Sequence, residues 1–333
     1  MLDFHKNHKL LVGTALFGFL MLSTFVALVP AFQIQQTQPL PSMETFSEEE
    51  LKGLHIYVQE NCMSCHTQQV RNIEMDNTWG KRPSIPSDYY YSKQRQDLWR
   101  QSPSLLGSER TGPDLTDVGQ RQSGMEWHLL HLFNPRIVVK ESIMPSYPWL
   151  FDIKEESKLR DTDHLVPVPQ EFLNSSTEKV VASQKALNLV AYLQSLKQAE
   201  MPQNTSVSFI PSSKEDESFD DSGEELLPDG ENLYMNNCAA CHQADGSGLS
   251  GAFPPLAGST IVNDENPETL IRIIMEGYDA RPEFGVMAGF QETLSDEEVA
   301  AIVNHERSSW GNAADAVTID EVKEIRSFVN SLK

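Results

Sequence analysis

The chain of 333 residues has little cysteine, little positive charge and few long apolar runs, and each scarcity excludes something. Cysteine occurs only as Cys62, Cys65, Cys238 and Cys241. A disulfide scaffold spreads many more cysteines over a shorter chain, and a chain this long buries enough core to do without staples. Lysine and arginine total 26 against 48 aspartates and glutamates, a formal net charge of −22. That balance argues against nucleic-acid binding, which needs a basic face to neutralise phosphates. The deficit is concentrated, because residues 201–333 carry 7 basic and 25 acidic side chains, net −18 of the total. Such a field steers a cationic partner toward the C-terminal half, although a generally acidic surface has the same composition. With 18 glycines and 19 prolines the chain is neither collagen-like nor wholly disordered.

The one long uncharged run extends from Leu10 to Phe32. As a helix it measures about 35 Å, longer than a hydrocarbon core of about 30 Å. Lys6 and Lys9 precede it and no lysine or arginine follows until Lys52. The positive-inside rule then places the N-terminus in the cytoplasm and everything after Gln33 in the periplasm. Val29-Pro30-Ala31 also resembles a signal cleavage site, but the run is longer than the apolar stretch of a cleaved signal. The expectation is a single-pass anchor within residues 1–40.

The remainder repeats itself. Gly53 and Tyr57 lead into Cys62-Met-Ser-Cys65-His66, and Gly230 and Tyr234 lead into Cys238-Ala-Ala-Cys241-His242. A glycine and a tyrosine four apart share one helical face. Ser47 with Glu50, and Ser295 with Glu298, have the spacing of capping boxes. Apolar periodicity predicts helices over 181–197, 295–308 and 318–331. The fold class expected is mainly α, one transmembrane helix followed by two copies of one helical module at 41–200 and 228–333. Between them, 201–227 reads as an acidic, solvated linker. Two polar insertions, 70–110 and 152–178, are candidate docking surfaces.

The chemistry lies in the doubled C-x-x-C-H. Two cysteines three apart reach two vinyl groups of one porphyrin as thioethers, and the adjacent histidine becomes an axial iron ligand. Half of a zinc site or a thioredoxin-like redox pair is the plainer alternative for one such motif. Two motifs in repeated contexts, with no spare cysteine, favour two covalently bound haem c groups. For the sixth ligand, Pro113 precedes Met144 by 31 residues and Pro255 precedes Met287 by 32, so the two copies agree. Methionine–histidine ligation raises the potential and closes the iron to substrates, which suits electron transfer. Most methionines are core fillers, and Met275 is the rival in copy two. The prolines are expected to offer a carbonyl to the ligand histidine N–H. Arg71 and Arg110 are either propionate partners or surface arginines. His128 and His131, one turn apart, have the spacing of ligands but read as packing or propionate-contact residues because Met144 fills that role, and His305 reads as a helix-surface residue. Tyr147 and Trp149 either pack on the haem edge or face a partner. The Gly246-x-Gly248-x-x-Gly251 pattern follows a haem motif and not a strand, so it is a haem-side loop and not a dinucleotide site.

On these residues the first copy resembles the membrane-anchored monohaem c subunit of cbb3-type haem-copper oxidases. The resemblance rests on Cys62-Met-Ser-Cys65-His66-Thr-Gln-Gln-Val-Arg71, Arg110-Thr-Gly-Pro-Asp-Leu115, Glu126-Trp-His128 and Glu141-Ser-Ile-Met144-Pro-Ser-Tyr-Pro-Trp149, and covers about residues 1–200. The second copy resembles a generic class I cytochrome c module, through Leu294–Asn304 and Ser308-Ser-Trp310-Gly-Asn312. The resemblance implies a non-catalytic relay that passes electrons from a periplasmic donor cytochrome c, or another haem c subunit, to a catalytic oxygen-reducing subunit in the inner membrane. The fused second domain departs from that family, whose subunit stops after one haem. The alternatives are the electron-entry subunit of a nitric oxide reductase, a self-sufficient dihaem peroxidase and an anchored shuttle without a fixed partner.

Overall fold

The computed structural model describes residues 4, 6–36, 38–90, 106–202, 207–211, 227–281, 284–291 and 293–331. Most of the expected acidic linker therefore lies outside the described residues, as does 91–105 of the first insertion. Helix α1 runs through His8–Ser23, a π-turn at Thr24–Leu28 and Val29–Gln35. The widened turn has a local cause. Pro30 has no N–H for the carbonyl one turn back and its ring crowds that carbonyl, which a π-turn relieves. Phe17 and Val26 are exposed, and nothing in His8–Leu28 is buried against protein. The helix is long and apolar enough to cross a membrane.

The first haem-motif module is built on α2 (Glu48–Gln59), opened by the expected capping box: Glu50 N donates to Ser47 Oγ, and Ser47 N to Glu50 Oε2 at 2.6 Å. Short helices α3 (Val118–Arg121) and α4 (Met125–Phe133) follow. Strands β1 (Phe151–Glu155), β2 (Leu165–Val166) and β3 (Glu178–Ala182) then form an antiparallel sheet in the order β1-β3-β2, and α5 (Gln184–Ser195) closes the module. The sheet corrects the reading of 152–178 as an irregular insertion. Phe151 pairs with Ala182 and Glu155 with Glu178, and Lys154 and Arg160 both bond Asp163 between the strands.

Helices α2 and α5 cross where Gly53 faces the backbone of Asn188, so close that a Cβ would strike the Asn188 carbonyl. Tyr57 and Tyr192 are fully buried at the same crossing, rings 5.4 Å apart.

The second module repeats the plan with α6 (Gly230–Asn237), α7 (Ala239–His242), α8 (Glu268–Glu276), the two-stranded ribbon β4 (Gly277–Tyr278) and β5 (Met287–Ala288), α9 (Asp296–Ser308) and α10 (Ile319–Ser331). Gly230 meets the Ala301 carbonyl of α9 as Gly53 meets Asn188. Helix α9 opens on the Ser295–Glu298 capping box.

The first insertion packs tightly where it is described. Arg82 and Asp88 form a buried pair at 2.6 Å, and Arg82 also donates to Ala199 O. Ile210, in the expected linker, accepts from Glu74 N at 3.1 Å, which ties that stretch to the insertion.

The two modules touch. Cys241, Leu249, Ala252 and Phe253 of the second pack into the apolar cluster centred on α2, α4 and α5 of the first. Trp127 Nε1 donates to Ala240 O at 2.9 Å.

Candidate haem sites

His66 follows a tight turn at Cys62–Ser64, entered through Asn61 in the left-handed region. Its Nδ1 donates to Pro113 O at 2.8 Å. A carbonyl only accepts, so the proton sits on Nδ1 and Nε2 keeps the lone pair a metal needs. Gly112 lies against the imidazole ring, and any Cβ there would clash with it. Behind the histidine, Asp114 is fully buried and accepts from Thr67 Oγ1, Gln69 N at 2.8 Å and Thr116 N at 2.9 Å. Arg110 completes the strap: it donates to Asp76 Oδ1 at 2.7 Å, Gln69 O at 2.7 Å and Thr67 Oγ1 at 2.9 Å. Arg71 also pairs with Asp76, at 2.8 Å. Burial pushes the Asp76 carboxyl up, but hydrogen bonds from Arg71 and Arg110 outweigh it and hold the group down at about 2. Both arginines are thus held in place by protein groups, Arg71 with half of its side chain exposed.

The second site has the same grammar with one correction. His242 Nδ1 donates to the carbonyl of Pro254, at 2.9 Å, and not to that of Pro255. Pro255 instead lines the cavity beside it. Counted from the carbonyl that is used, the intervals to methionine are 31 and 33 residues. The glycines of the Gly246–Gly251 loop all take positive φ, and Gly248 N donates to His242 O at 2.9 Å. That loop serves the haem side, with no strand ahead of it.

A cavity of about 300 Å³ is lined by Cys238, Cys241, His242 and Met287 together with apolar side chains such as Ile274 and Phe253. Met275, the rival ligand, is buried in the core of α8 and does not line it. Two buried polar atoms without partners stand in the wall, Arg121 Nε and Glu306 Oε2. Arg121 comes from the first module, so both modules build this cavity. An apolar slot with a bared imidazole Nε2, two cysteines and orphaned polar atoms fits a haem and its peripheral groups.

In the first site Met144 Sδ lies 3.2 Å from His131 Nε2, and Tyr147 stacks edge-on against Trp149. Trp149 is mostly exposed and its indole N–H reaches Glu60. Burial, joined by His128 and His66, pushes His131 down to about 3, and burial pushes His128 down to about 4 despite its bond to Gln122 O. Both rings are neutral at physiological pH. His305 is not the bare surface residue expected: it lies in an aromatic cluster with Tyr234 and Trp310.

Cys62, Cys238 and Cys241 do not have the electrostatics of an activated redox thiol, whose pKa is lowered. Burial pushes Cys62 and Cys241 up to about 12 and raises Cys238 as well. Among the described residues no three His, Cys, Asp or Glu side chains gather as a metal site. Arg121, Glu306 and the Pro254 carbonyl escaped sequence reasoning, since each owes its place to contacts distant in the chain.

Fold and site together define a c-type cytochrome with covalently bound haem c and an N-terminal apolar helix. The chain belongs to the family described as "Cytochrome C oxidase, mono-heme subunit/FixO", whose model matches residues 3–206. Residues 225–305 match a second model, "Cytochrome C oxidase, cbb3-type, subunit III". Cytochrome c-552 of Thermus thermophilus is 38% identical over 113 residues, 30% of this chain and 85% of that protein. The cytochrome c subunit of a quinone alcohol dehydrogenase from Gluconobacter oxydans is 36% identical over 104 residues, 29% of this chain. A fructose dehydrogenase cytochrome subunit from Gluconobacter japonicus is 39% identical over 108 residues, 30% of this chain. The match spans only 22% of each of these two dehydrogenase subunits.

Proposed function

We propose that this chain is a dihaem relay subunit of a membrane haem-copper oxidase of the cbb3 type, feeding electrons to the oxygen-reducing subunit. The observation that carries the reading is the doubled geometry: His66 on Pro113 and His242 on Pro254, each bared at Nε2 beside a C-x-x-C pair. Haem c, when bound, supplies one-electron redox chemistry at an iron closed by histidine and methionine. The proposed ligands are His66 with Met144 and His242 with Met287, and the thioether positions are Cys62, Cys65, Cys238 and Cys241.

The proposed organisation is an anchor at 1–40, a first module at 41–200, an acidic linker at 201–227 and a second module at 228–333. The N-terminus faces the cytoplasm, and the modules lie in the periplasm. The acidic second module takes electrons from a cationic periplasmic donor, and the tethered first module passes them to its membrane partner. The match to the dehydrogenase relative covers 29% of this chain, whereas the family match from residue 3 to 206 includes the anchor, which favours an oxidase-type partner.

The test is purification of the full chain from its membranes in mild detergent, with haem type, haem count and metals measured. Two haems c per chain with haem b and copper support the reading. Haem b with non-haem iron marks nitric oxide reduction instead. Haem c without any partner leaves an anchored shuttle.

A further inference from the structure

We infer that Trp127 and His131 form a built-in electron bridge between the two haem modules, so that electrons cross within one chain through a fixed contact. The inference rests on the two-haem reading above and adds the route and the residues. The observations form an unbroken chain of contacts. Ala240 sits between the two cysteines of the second haem motif, and its carbonyl accepts from Trp127 Nε1 at 2.9 Å. The Trp127 indole stacks on the His131 imidazole, centroids 4.7 Å apart and planes 11° from parallel. His131 Nε2 then meets Met144 Sδ, the proposed partner of His66 at the first site, at 3.2 Å. Trp127 and His131 are one helical turn apart on α4, and that spacing makes their stacking possible.

The contact is an interior one. Cys241 and Phe253 line the second cavity and also pack into the first module's apolar cluster. Gly285, in the same wall, lies against the Glu126 side chain, and Thr78 reaches Asn236 at 3.4 Å. An aromatic ring wedged between two cofactor sites, with its only polar atom hydrogen-bonded into the second motif, is more than packing needs. Tunnelling falls exponentially with distance and falls faster through empty space than through bonds, hydrogen bonds and stacked rings. With haem c held at both sites, one electron would leave the second module, oxidising its haem, and arrive at the first, reducing its haem. No bond is made or broken and no proton moves, which suits a bridge whose imidazole stays neutral.

A spatially continuous route is a claim about coupling and is tested by perturbing it. The full chain in detergent is prepared as wild type, Trp127→Phe and Trp127→Leu. Haem content comes first: fewer than two haems c per wild-type chain sinks the two-haem reading, independently of the bridge. With two haems present, intermodule electron equilibration is followed after pulsed reduction, and both potentials are measured by spectroelectrochemistry. The expected result is equilibration slowed by an order of magnitude or more in Trp127→Leu and by less in Trp127→Phe, with both potentials unchanged. Hydrogen exchange at residues 249–253 reports whether the modules stay docked. If Trp127→Leu undocks them, Trp127→Phe decides, because it keeps the ring and loses only the bond to Ala240. A wild-type rate in the deciding variant overturns the bridge.

Discussion

His131 and Met144 meet nitrogen to sulfur, with Nε2 3.2 Å from Sδ, while the His131 Nδ1 is buried without a partner. An orphaned N–H is costlier to bury than an orphaned lone pair, so the proton belongs on Nε2, where it points at the thioether. With Met144 as the proposed sixth ligand, that N–H withdraws electron density from the sulfur and disfavours the ferric state. Replacing His131 by Leu should therefore lower the potential of the first site. A hydrogen bond is worth about 1 kcal/mol, an upper bound of ~40 mV for a one-electron couple. Spectroelectrochemical titration checks the sign, and a raised potential contradicts the bond.

The two helix crossings make a prediction about stability. A Cβ on Gly53 would strike the Asn188 carbonyl and come within 2.6 Å of Tyr192 Cβ, and backbone cannot rotate away as a long side chain can. Gly53→Ala should cost ~1–3 kcal/mol or more, and Gly230→Ala, facing Ala301, a similar amount. Gly124→Ala is the control, since nothing lies within 4 Å of its added methyl. Thermal unfolding of the three variants separates crowding from the general effect of adding a methyl group.

These crossings show why much of the fold was legible in the sequence. Gly–Tyr spacing, capping pairs and apolar periodicity are local, so α2 opens on its expected capping box, and α5, α9 and α10 stand within a few residues of their expected bounds. The C-x-x-C-H motifs are local as well. What was hidden depends on distant partners. Strand β1 of the first module's sheet shows no alternation, because Ile153 is exposed along with Asp152 and Glu155 while Lys154 is partly covered by its pair with Asp163. The choice of Pro254 over Pro255 is a matter of which carbonyl the loop turns toward His242. Arg121 reaches the second cavity only because the modules dock, and no periodicity encodes that.

Glu306 carries a pH prediction. Burial raises its carboxyl from 4.5 to about 8, and its Oε2 has no hydrogen-bond partner, near Cys238 and Tyr234. Between those two values the folded chain holds a proton that the unfolded chain releases. This contribution is therefore fully present below about 4.5 and is lost as pH rises through about 8. Glu306→Gln mimics the protonated form and should flatten that decline. Denaturant midpoints of both forms, measured across this interval, provide the check, and equal slopes would remove Glu306 as the cause.

The acidic second half makes the final prediction, because it concerns rate and not fold. With 7 basic against 25 acidic side chains in residues 201–333, the second module should attract a cationic donor over a distance set by ionic strength. The Debye length shrinks from ~30 Å at 0.01 M salt to ~8 Å at 0.15 M, so steering fades over the same interval. Second-order reduction of the full chain by a basic cytochrome c should fall by an order of magnitude or more across it, while an acidic cytochrome c should show the opposite trend. First-order transfer between the modules should ignore salt, because the Trp127–Ala240 contact is already made within the chain. If reduction by the basic donor is indifferent to salt, the charge is a solubility feature of the surface and the donor docks by apolar contact.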